Sequence, residues 1–511
     1  MTEEPESAET LDDQVRTKGW TGGQSQTRLP KYDFEAFEAK WRARWEEHKL
    51  YQVDLHRAQK PFYNLMMFPY PSAEGLHVGN MYAYVGSDIY GRWTAMRGYD
   101  VFEPMGFDAF GIHSENFALK KGIHPRILTA RNIVRFREEQ LKRIGNRFDW
   151  SHEVQTTDPH YYRWTQWIFL QLFKHGLAER KAAPVNWCPK DKTVLADEQV
   201  INGRCERCGS LVEQRWLEQW FLKITAYAQK LLDNLDQLDW SERVKIAQRN
   251  WIGRSEGLEF SMAIDGMPAR SVQVYTTRPD TIFGMTFVAL TPNHPLVSQI
   301  TDETHRPAVV AYQEAAKRKL LNEPGTERQM TGVFTGAYAL HPLTGERMPI
   351  WVADYVLEGH GAGAIMGVPA HDETDIAFAR EVGLPVRIVV QPADADAPLP
   401  GQSEVAFVEF GVLINSGAFS GMTSEQARAA IMDWFEERGN GKRAVKYRLR
   451  DWLISRQRYW GPPIPIIYCP AHGAVPVPEE QLPVLLPDAE NWMPTGTGSS
   501  PLAAIESFVQ T

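Results

Sequence analysis

Cysteine is scarce in this chain, four residues in 511. That excludes a disulfide-stapled secreted scaffold and points to a reducing compartment, the cytoplasm. Long apolar runs are lacking as well. Nothing approaches the roughly 18 consecutive apolar residues of a bilayer-spanning helix, so no membrane span is expected. The first 30 residues have neither the basic start nor the apolar stretch of a secretory leader. Polar and acidic, residues 1–30 read as a disordered extension. An excess of positive charge is missing too. Lys and Arg number 55 against 64 Asp and Glu, a net charge of −9, so contact with a nucleic acid would have to be local. No segment repeats. What remains is an ordinary globular composition, 43% hydrophobic, in a chain long enough for about two to four domains.

Residues 68–80 carry the strongest local signal: Phe68-Pro69-Tyr70-Pro71-Ser72, then Ala-Glu-Gly-Leu, then His77-Val78-Gly79-Asn80. An apolar run over 62–68 is strand-like in length, and an amphipathic run over 81–96 reads as a helix. Strand, glycine-bearing loop and helix start make a phosphate site, because backbone N–H groups and the helix dipole favour an anion there. Gly79 would let a nucleotide approach the backbone, and His77 can donate to a phosphate. The same pattern also serves as a plain strand-to-helix turn.

Cys188 and Asp191, and Cys205 and Cys208, form two knuckle-like pairs. Zinc takes four tetrahedral ligands, and Cys-x2-Cys spacing lets a tight turn present two thiolates. Three cysteines with Asp191 as fourth ligand make a candidate structural zinc site. The alternative is a metal-free knuckle around reduced Cys205 and Cys208. Cys469 and His472 look like half of another knuckle, and no metal is assigned there.

Along the chain, residues 32–60 carry an aromatic and charged helix pattern with Trp41 and Trp45. Residues 61–180 alternate strand-like and helix-like segments, as in a parallel sheet with crossover helices. The cysteine-bearing insert spans about 183–215. Character changes around 251–255, and residues 257–440 are rich in short strands at 273–275, 287–290, 348–355, 363–369 and 386–390. This looks like a compact domain inserted into the first, which resumes near Tyr447. Residues 391–403 read as an exposed loop.

Four segments together resemble one family. His77-Val78-Gly79-Asn80 after Phe-Pro-Tyr-Pro-Ser resembles the "HIGH" element of class I aminoacyl-tRNA synthetases, and the lead-in is similar to the leucyl-tRNA synthetases. Gly106-Phe107-Asp108-Ala109-Phe110-Gly111 resembles the leucyl amino-acid site. Thr276-Thr277-Arg278-Pro279-Asp280-Thr281 resembles the threonine strip of the editing domain. The segment from Asp451 to Gly461 resembles the return of the chain to the catalytic domain. Isoleucyl and valyl enzymes share the last two motifs and differ in the first two.

The resemblance implies an α/β fold: an incomplete Rossmann-like class I catalytic domain with a small zinc-knuckle insert and an inserted β-rich editing domain. Catalytic halves at 31–255 and 441–511 would flank an editing domain at 256–440. It implies ATP-dependent activation of leucine with Mg²⁺, transfer to tRNA(Leu), and hydrolysis of mischarged tRNA. His77, Gly79 and Asn80 would bind ATP phosphates. Asp108 would take the leucine ammonium, with Phe68 and Tyr70 lining the side-chain pocket. An apolar pocket separates one methylene by only about 10–200-fold, which is why a second, hydrolytic pocket is useful. In the similar segment Gly367–Asp375, Asp375 would hold the amino group and Asp372 lie beside it. Thr281 would clash with the γ-branch of leucine, and Thr276 and Thr277 would position the ester or water. Plain structural roles fit several of these residues equally: core for Phe68, a strand entering a turn for 276–281, a helix N-terminus for Asp372 and Asp375. Nine lysines and arginines between residues 120 and 147 face Glu138 and Glu139. They read as one helix with Arg131, Arg135 and Lys142 near one face, either simply solvated or contacting tRNA phosphates.

Two positions depart from the family pattern. Asn80 stands where the family has His, and Thr374 where it usually has Arg. The family's Lys-Met-Ser-Lys-Ser signature occurs nowhere in the 511 residues. The chain therefore reads as the N-terminal part of a longer enzyme or one subunit of a split one, with a second chain supplying the C-terminal half. The other readings are an editing hydrolase, or a tRNA-binding piece without independent synthetic activity.

Overall fold

The computed structural model describes residues 32–322, 331–356, 363–393, 405–456 and 458–510. The expected N-terminal extension, most of the expected loop at 391–403, and Gln457 lie outside these. The chain divides into two compact units, residues 1–109 with 126–155 and residues 110–125 with 156–511.

The first unit opens with helix α1 (Phe34–Glu47), whose N-cap Asp33 accepts from the Ala36 N–H. Strand β1 (Pro61–Tyr63) leads through an extended segment into helix α2 (Val78–Met96), followed by β2 (Asp100–Phe102), β3 (Pro104–Phe107) and β4 (Asp149–Gln155). β1 pairs with β2 and β3 with β4, both in parallel, so the expected parallel sheet appears as two short pairs. The strand expected over 62–68 stops at Tyr63. One more bond, from the Asn64 N–H to the Phe102 carbonyl, continues the pairing, and Pro69 and Pro71 then deny the chain ladder donors. Tyr84 of α2 packs on Met105, Phe107, Phe136 and Phe148 to form the core. A half-buried polar network ties α2 down. Asp88 accepts from Arg92 (2.8 Å) and from the Arg147 N–H (2.7 Å), and the Arg92 guanidinium also donates to Tyr51.

The basic stretch is not one helix. It breaks at Gly122, which is left-handed at φ 66°, and at Pro125. The following helix, Pro125–Val134, runs on as a π-helical stretch, Arg135–Leu141. Nor is all of its charge free. Arg137 pairs with Glu138 and Glu153, Lys142 with Glu138 and Arg135 with Glu139, while Arg147 is buried. Three of the nine cations are thus matched by carboxylates brought from β4 or from within the stretch itself, a pairing that sequence spacing alone does not reveal in the case of Glu153.

In the second unit, β5 (Ala178–Cys188), β6 (Thr193–Leu195) and β7 (Glu213–Leu222) form an antiparallel sheet. A seven-stranded sheet follows, built from β8 (Arg254–Ile264), β9 (Met267–Thr276), β10 (Phe287–Leu290), β11 (Gly332–Leu340), β12 (Arg347–Ala353), β13 (Ala364–Gly367) and β14 (Gly441–Tyr447). Along β8, Leu258, Phe260, Met262 and Ile264 alternate into the core, as period 2 requires. β14 pairs antiparallel with β8, Arg254 opposite Tyr447, so the chain enters and leaves this sheet at one place. The strand expected over 386–390 is present only from Val390. The Val389 and Val390 N–H groups donate to His371 Nε2 instead of to a neighbouring strand. Strand β15 (Trp452–Leu453) returns to pair with β7. No described helix is long and apolar enough to cross a membrane.

Candidate functional site

The nucleotide-site candidates gather in the first unit. His77 is the N-cap of α2 and is exposed, as are Val78 and Gly79. The helix therefore presents its first turn, with its partial positive charge, to solvent. Asn80 is the third helical residue, and its Oδ1 accepts from the His77 N–H at 3.2 Å, the reach-back of a capping box. That bond accounts for Asn at this position without any ligand. Gly79 also has a local reason: a Cβ there would stand 2.9 Å from the His77 ring, so glycine leaves the imidazole its place. The lead-in loop is pinned by Gln140, which accepts from the Leu76 N–H, and by Asn132, which donates to the Pro71 carbonyl.

Asp108 follows β3 directly, half-buried, and its N–H donates to the Pro69 carbonyl at 3.1 Å. The end of β3 and the Phe-Pro-Tyr-Pro segment are thus joined, at the carboxyl ends of parallel strands where α/β sheets bind ligands. Phe68 is half-buried against the core, and Gly106 makes room for its ring; Tyr70 is 55% exposed.

The editing candidates lie in the second unit. Thr276 ends β9, where a Cβ on Gly257 would meet its carbonyl oxygen at 2.1 Å, and its Oγ1 accepts from the Arg278 N–H. Thr277 is exposed. Thr281 is fully buried in a short 3₁₀ turn, Pro279–Gly284, and its hydroxyl donates to the Arg278 carbonyl at 2.8 Å. The strip is held by an ion pair that sequence reading missed, Arg278 on the fully buried Asp280 at 2.8 Å. The motif prints both residues two apart, but nothing in it marks Asp280 as buried. Buried His371 abuts Gly284 and so links this turn to the Gly367–Asp375 segment. Its Nε2 accepts two N–H groups and its Nδ1 faces the Phe407 carbonyl at 2.9 Å, which assigns a neutral ring; burial lowers its pKa.

Asp372 is the N-cap of helix α3 (Glu373–Val382) and accepts from the Thr374 and Asp375 N–H groups. Its position is the helix-start role. Asp375 differs. It is 3% exposed, with Oδ1 accepting from the Tyr355 hydroxyl at 3.0 Å and Oδ2 from the Val368 N–H at 2.8 Å. Among the described residues no cation pairs with it. Burial, with Asp372 nearby, pushes its pKa up to about 7.

The cysteine cluster is assembled as expected. One ligand atom each from Cys188, Asp191, Cys205 and Cys208 lie within 4.8 Å of one another. Cys188 and Cys208 sulfurs are 3.3 Å apart, and Cys205 Sγ lies 3.4 Å from Asp191 Oδ2. Burial pushes the Cys188 thiol up to about 12. The four donors crowd a point where a cation would relieve them.

The return segment, Asp451 to Gly461, is structural in the described residues. Arg458 donates to Glu115 Oε1 at 2.7 Å, both buried, and to Asn116, while Glu115 Oε2 accepts the Trp460 N–H. Asp451 accepts from the Thr225 hydroxyl, and the Ser455 hydroxyl takes the Trp220 N–H.

Two family models match in tandem: the class I tRNA synthetases of the I, L, M and V type over residues 40–256, and the leucyl-tRNA synthetase editing domain over 249–436. A leucine–tRNA ligase of Caldanaerobacter subterraneus is 54% identical over 92% of this chain and 57% of its own length. One from Thermotoga maritima is 50% identical over 94% and 58%. A crystal structure of a LeuRS–tRNA–LeuAMS ternary complex from Agrobacterium radiobacter K84 superposes with a TM-score of 0.79 at 37% identity, covering 94% of this chain and 56% of that one. The chain thus spans somewhat over half the length of the curated relatives it matches. With both models matched in order and about half of all residues identical to those relatives, the chain belongs to the leucyl-tRNA synthetase family of class I aminoacyl-tRNA synthetases.

Proposed function

We propose that the chain carries the leucine-activating and editing sites of a leucine–tRNA ligase that acts on leucine, ATP and tRNA(Leu). In activation, the leucine carboxylate attacks the α-phosphorus of ATP and pyrophosphate leaves in line. The enzyme's part is to hold the reactants and stabilise developing charge. His77, Gly79 and Asn80 at the open N-terminus of α2 would face the phosphates, with Mg²⁺ carried in with ATP. Asp108 would take the leucine ammonium, and Phe68 and Tyr70 would contact its side chain. No enzyme nucleophile is needed.

In editing, water attacks the ester of a mischarged tRNA. The observation that carries this half is Asp375, a buried carboxylate with no cation beside it among the described residues. Two of its roughly four lone-pair sites are taken, and an α-ammonium would fill the charge deficit. Thr276 and Thr277 would hold ester or water, Thr281 would exclude leucine, and Asp372 would set the start of the helix that bears Asp375. The spacing of the four donors at Cys188, Asp191, Cys205 and Cys208 fits zinc, whose tetrahedral thiolates stand about 3.8 Å apart at bond lengths of about 2.3 Å. Zinc there would supply structure and no chemical step.

A second reading takes these 511 residues as an editing hydrolase or tRNA-binding piece without independent synthetic activity, as the buried Asp375 carboxylate belongs to the editing segment alone. Leucine-dependent pyrophosphate exchange and hydrolysis of Ile-tRNA(Leu), measured on the chain itself, separate the readings. Exchange is expected to be absent and hydrolysis weak. Robust exchange by this chain alone would refute the second reading, and failure of both reactions would leave only tRNA binding.

A further inference from the structure

Asp375 is held from two sides, and one of its holders has no part in the editing roles assigned so far. Tyr355 follows β12. Its ring packs on Phe378 with centroids 5.3 Å apart, and its hydroxyl donates to Asp375 Oδ1 at 3.0 Å. Phe378 and Asp375 are three residues apart on α3, hence on one face of the helix. Ring and hydroxyl therefore fix Tyr355 against that face at two points. The other bond, from the Val368 N–H to Oδ2, comes from the backbone and no side-chain change removes it.

We propose that Tyr355 is a positioning residue for the Asp375 carboxylate: its hydroxyl orients Oδ1 and leaves the remaining lone pairs directed at a ligand ammonium. The inference rests on the editing role proposed for Asp375. Electrostatics agree with the geometry. The groups that bear on this carboxylate are Asp372, which disfavours its charge, and the Val368 N–H and Tyr355 hydroxyl, which favour it. Tyr355 itself feels Asp375, Asp372 and Tyr312, and its phenol is raised chiefly by burial, so it stays a donor throughout the neutral range. Deleting the hydroxyl removes one of two bonds that favour the anion. A neutral Asp375 could no longer pair with an ammonium. The fold-loss is therefore greatest on the acid side of the Asp375 pKa and small where the carboxylate is fully ionised.

The test is Tyr355→Phe, which keeps the ring on Phe378. Hydrolysis of Ile-tRNA(Leu) by the full chain is followed from pH 5.5 to 9. The acid limb of kcat/KM is expected to move up by about one pH unit, a loss near tenfold at pH 6.5 that recovers by pH 9. A uniform loss at all pH values, or an unchanged profile, would overturn the proposal. Asp375→Asn, run alongside, should abolish hydrolysis at every pH. If it does not, the anchor role of Asp375 falls, which is a different failure. A readout independent of turnover is the melting temperature. Tyr355→Phe should destabilise the protein more at pH 8 than at pH 4.5, and this pH dependence should vanish in an Asp375→Asn background. Equal destabilisation at both pH values in the wild-type background would refute the coupling even if hydrolysis were too slow to measure.

Discussion

A buried carboxylate with no cation beside it ought to weaken the fold it sits in, and Asp375, which has none among the described residues, offers a direct measurement of that cost. Its pKa is about 7 in the folded protein against 3.8 as the ordinary value. A group whose folded pKa is raised contributes its stability below the unfolded pKa and loses it as pH rises through the folded one. Below about pH 4 the carboxyl is neutral in both states and carries no penalty. Between about pH 4 and 7 folding requires a proton the unfolded chain has already lost. Above about pH 7 the charge must be buried, at a ceiling of about 4 kcal/mol for a shift of roughly three units. Asp375→Asn removes the charge but keeps the shape, an acceptor for the Val368 N–H and a partner for the Tyr355 hydroxyl. The variant is therefore expected to be more stable than wild type at pH 8, by about 2 kcal/mol if half the ceiling is realised. In a sheet unit of this size that is a rise of about 4–8 °C in its melting temperature. The advantage should shrink to nothing by pH 4. Scanning calorimetry of both proteins at half-unit pH steps gives the difference curve, from which every other titrating group cancels. A variant that is destabilised by the same amount at all pH values would refute the reasoning, because it would mean that folding does not shift the titration of Asp375.

Three further outcomes are expected. Glu115→Gln leaves the Arg458 guanidinium buried without its carboxylate and should cost about 3–5 kcal/mol in urea unfolding; a loss under 1 kcal/mol would mean that the pair is solvated. Protein prepared without chelators should carry about one zinc per chain, and Cys205→Ser should lower that stoichiometry; elemental analysis that finds none in the parent protein would favour the metal-free knuckle. Thr281→Ala should make the editing pocket hydrolyse correctly charged Leu-tRNA(Leu), and a rate that stays at background would assign Thr281 to its turn alone.

Element types were legible where the apolar pattern was strong. The runs at 81–96 and 287–290 are a helix and a strand at nearly those bounds, the helix with one face on a core and the strand, a short continuous apolar run, buried on both faces. Legibility failed where a side chain or a distant strand took over backbone bonds. Residues 386–389, Val-Arg-Ile-Val, are β-branched enough for a strand, yet His371 claims their last N–H group. The basic stretch suggested one charged face, but Gly122 and Pro125 break it, and Glu153 reaches Arg137 from another element. The cysteine cluster was readable from spacing alone. The ion pairs Arg278–Asp280 and Arg458–Glu115 were not, since spacing does not report burial.

The candidate site residues share a property that sequence motifs cannot separate. His77 caps α2, Asn80 bonds back to His77, Asp372 caps α3, and Thr281 closes its own turn. Each satisfies a backbone demand that would exist with or without a substrate, because ligand sites form where helices start and strands end. Loss of activity on substitution therefore cannot by itself assign a catalytic role to any of them. Asp375 is the exception among these residues. Its two bonds take two of its lone pairs and leave its charge without a cation among the described residues, and no cap or turn calls for that. Charge balance is the criterion that remains once hydrogen bonds are accounted for. It is the reason that pH dependence, rather than the size of an activity loss, is the informative readout at this site.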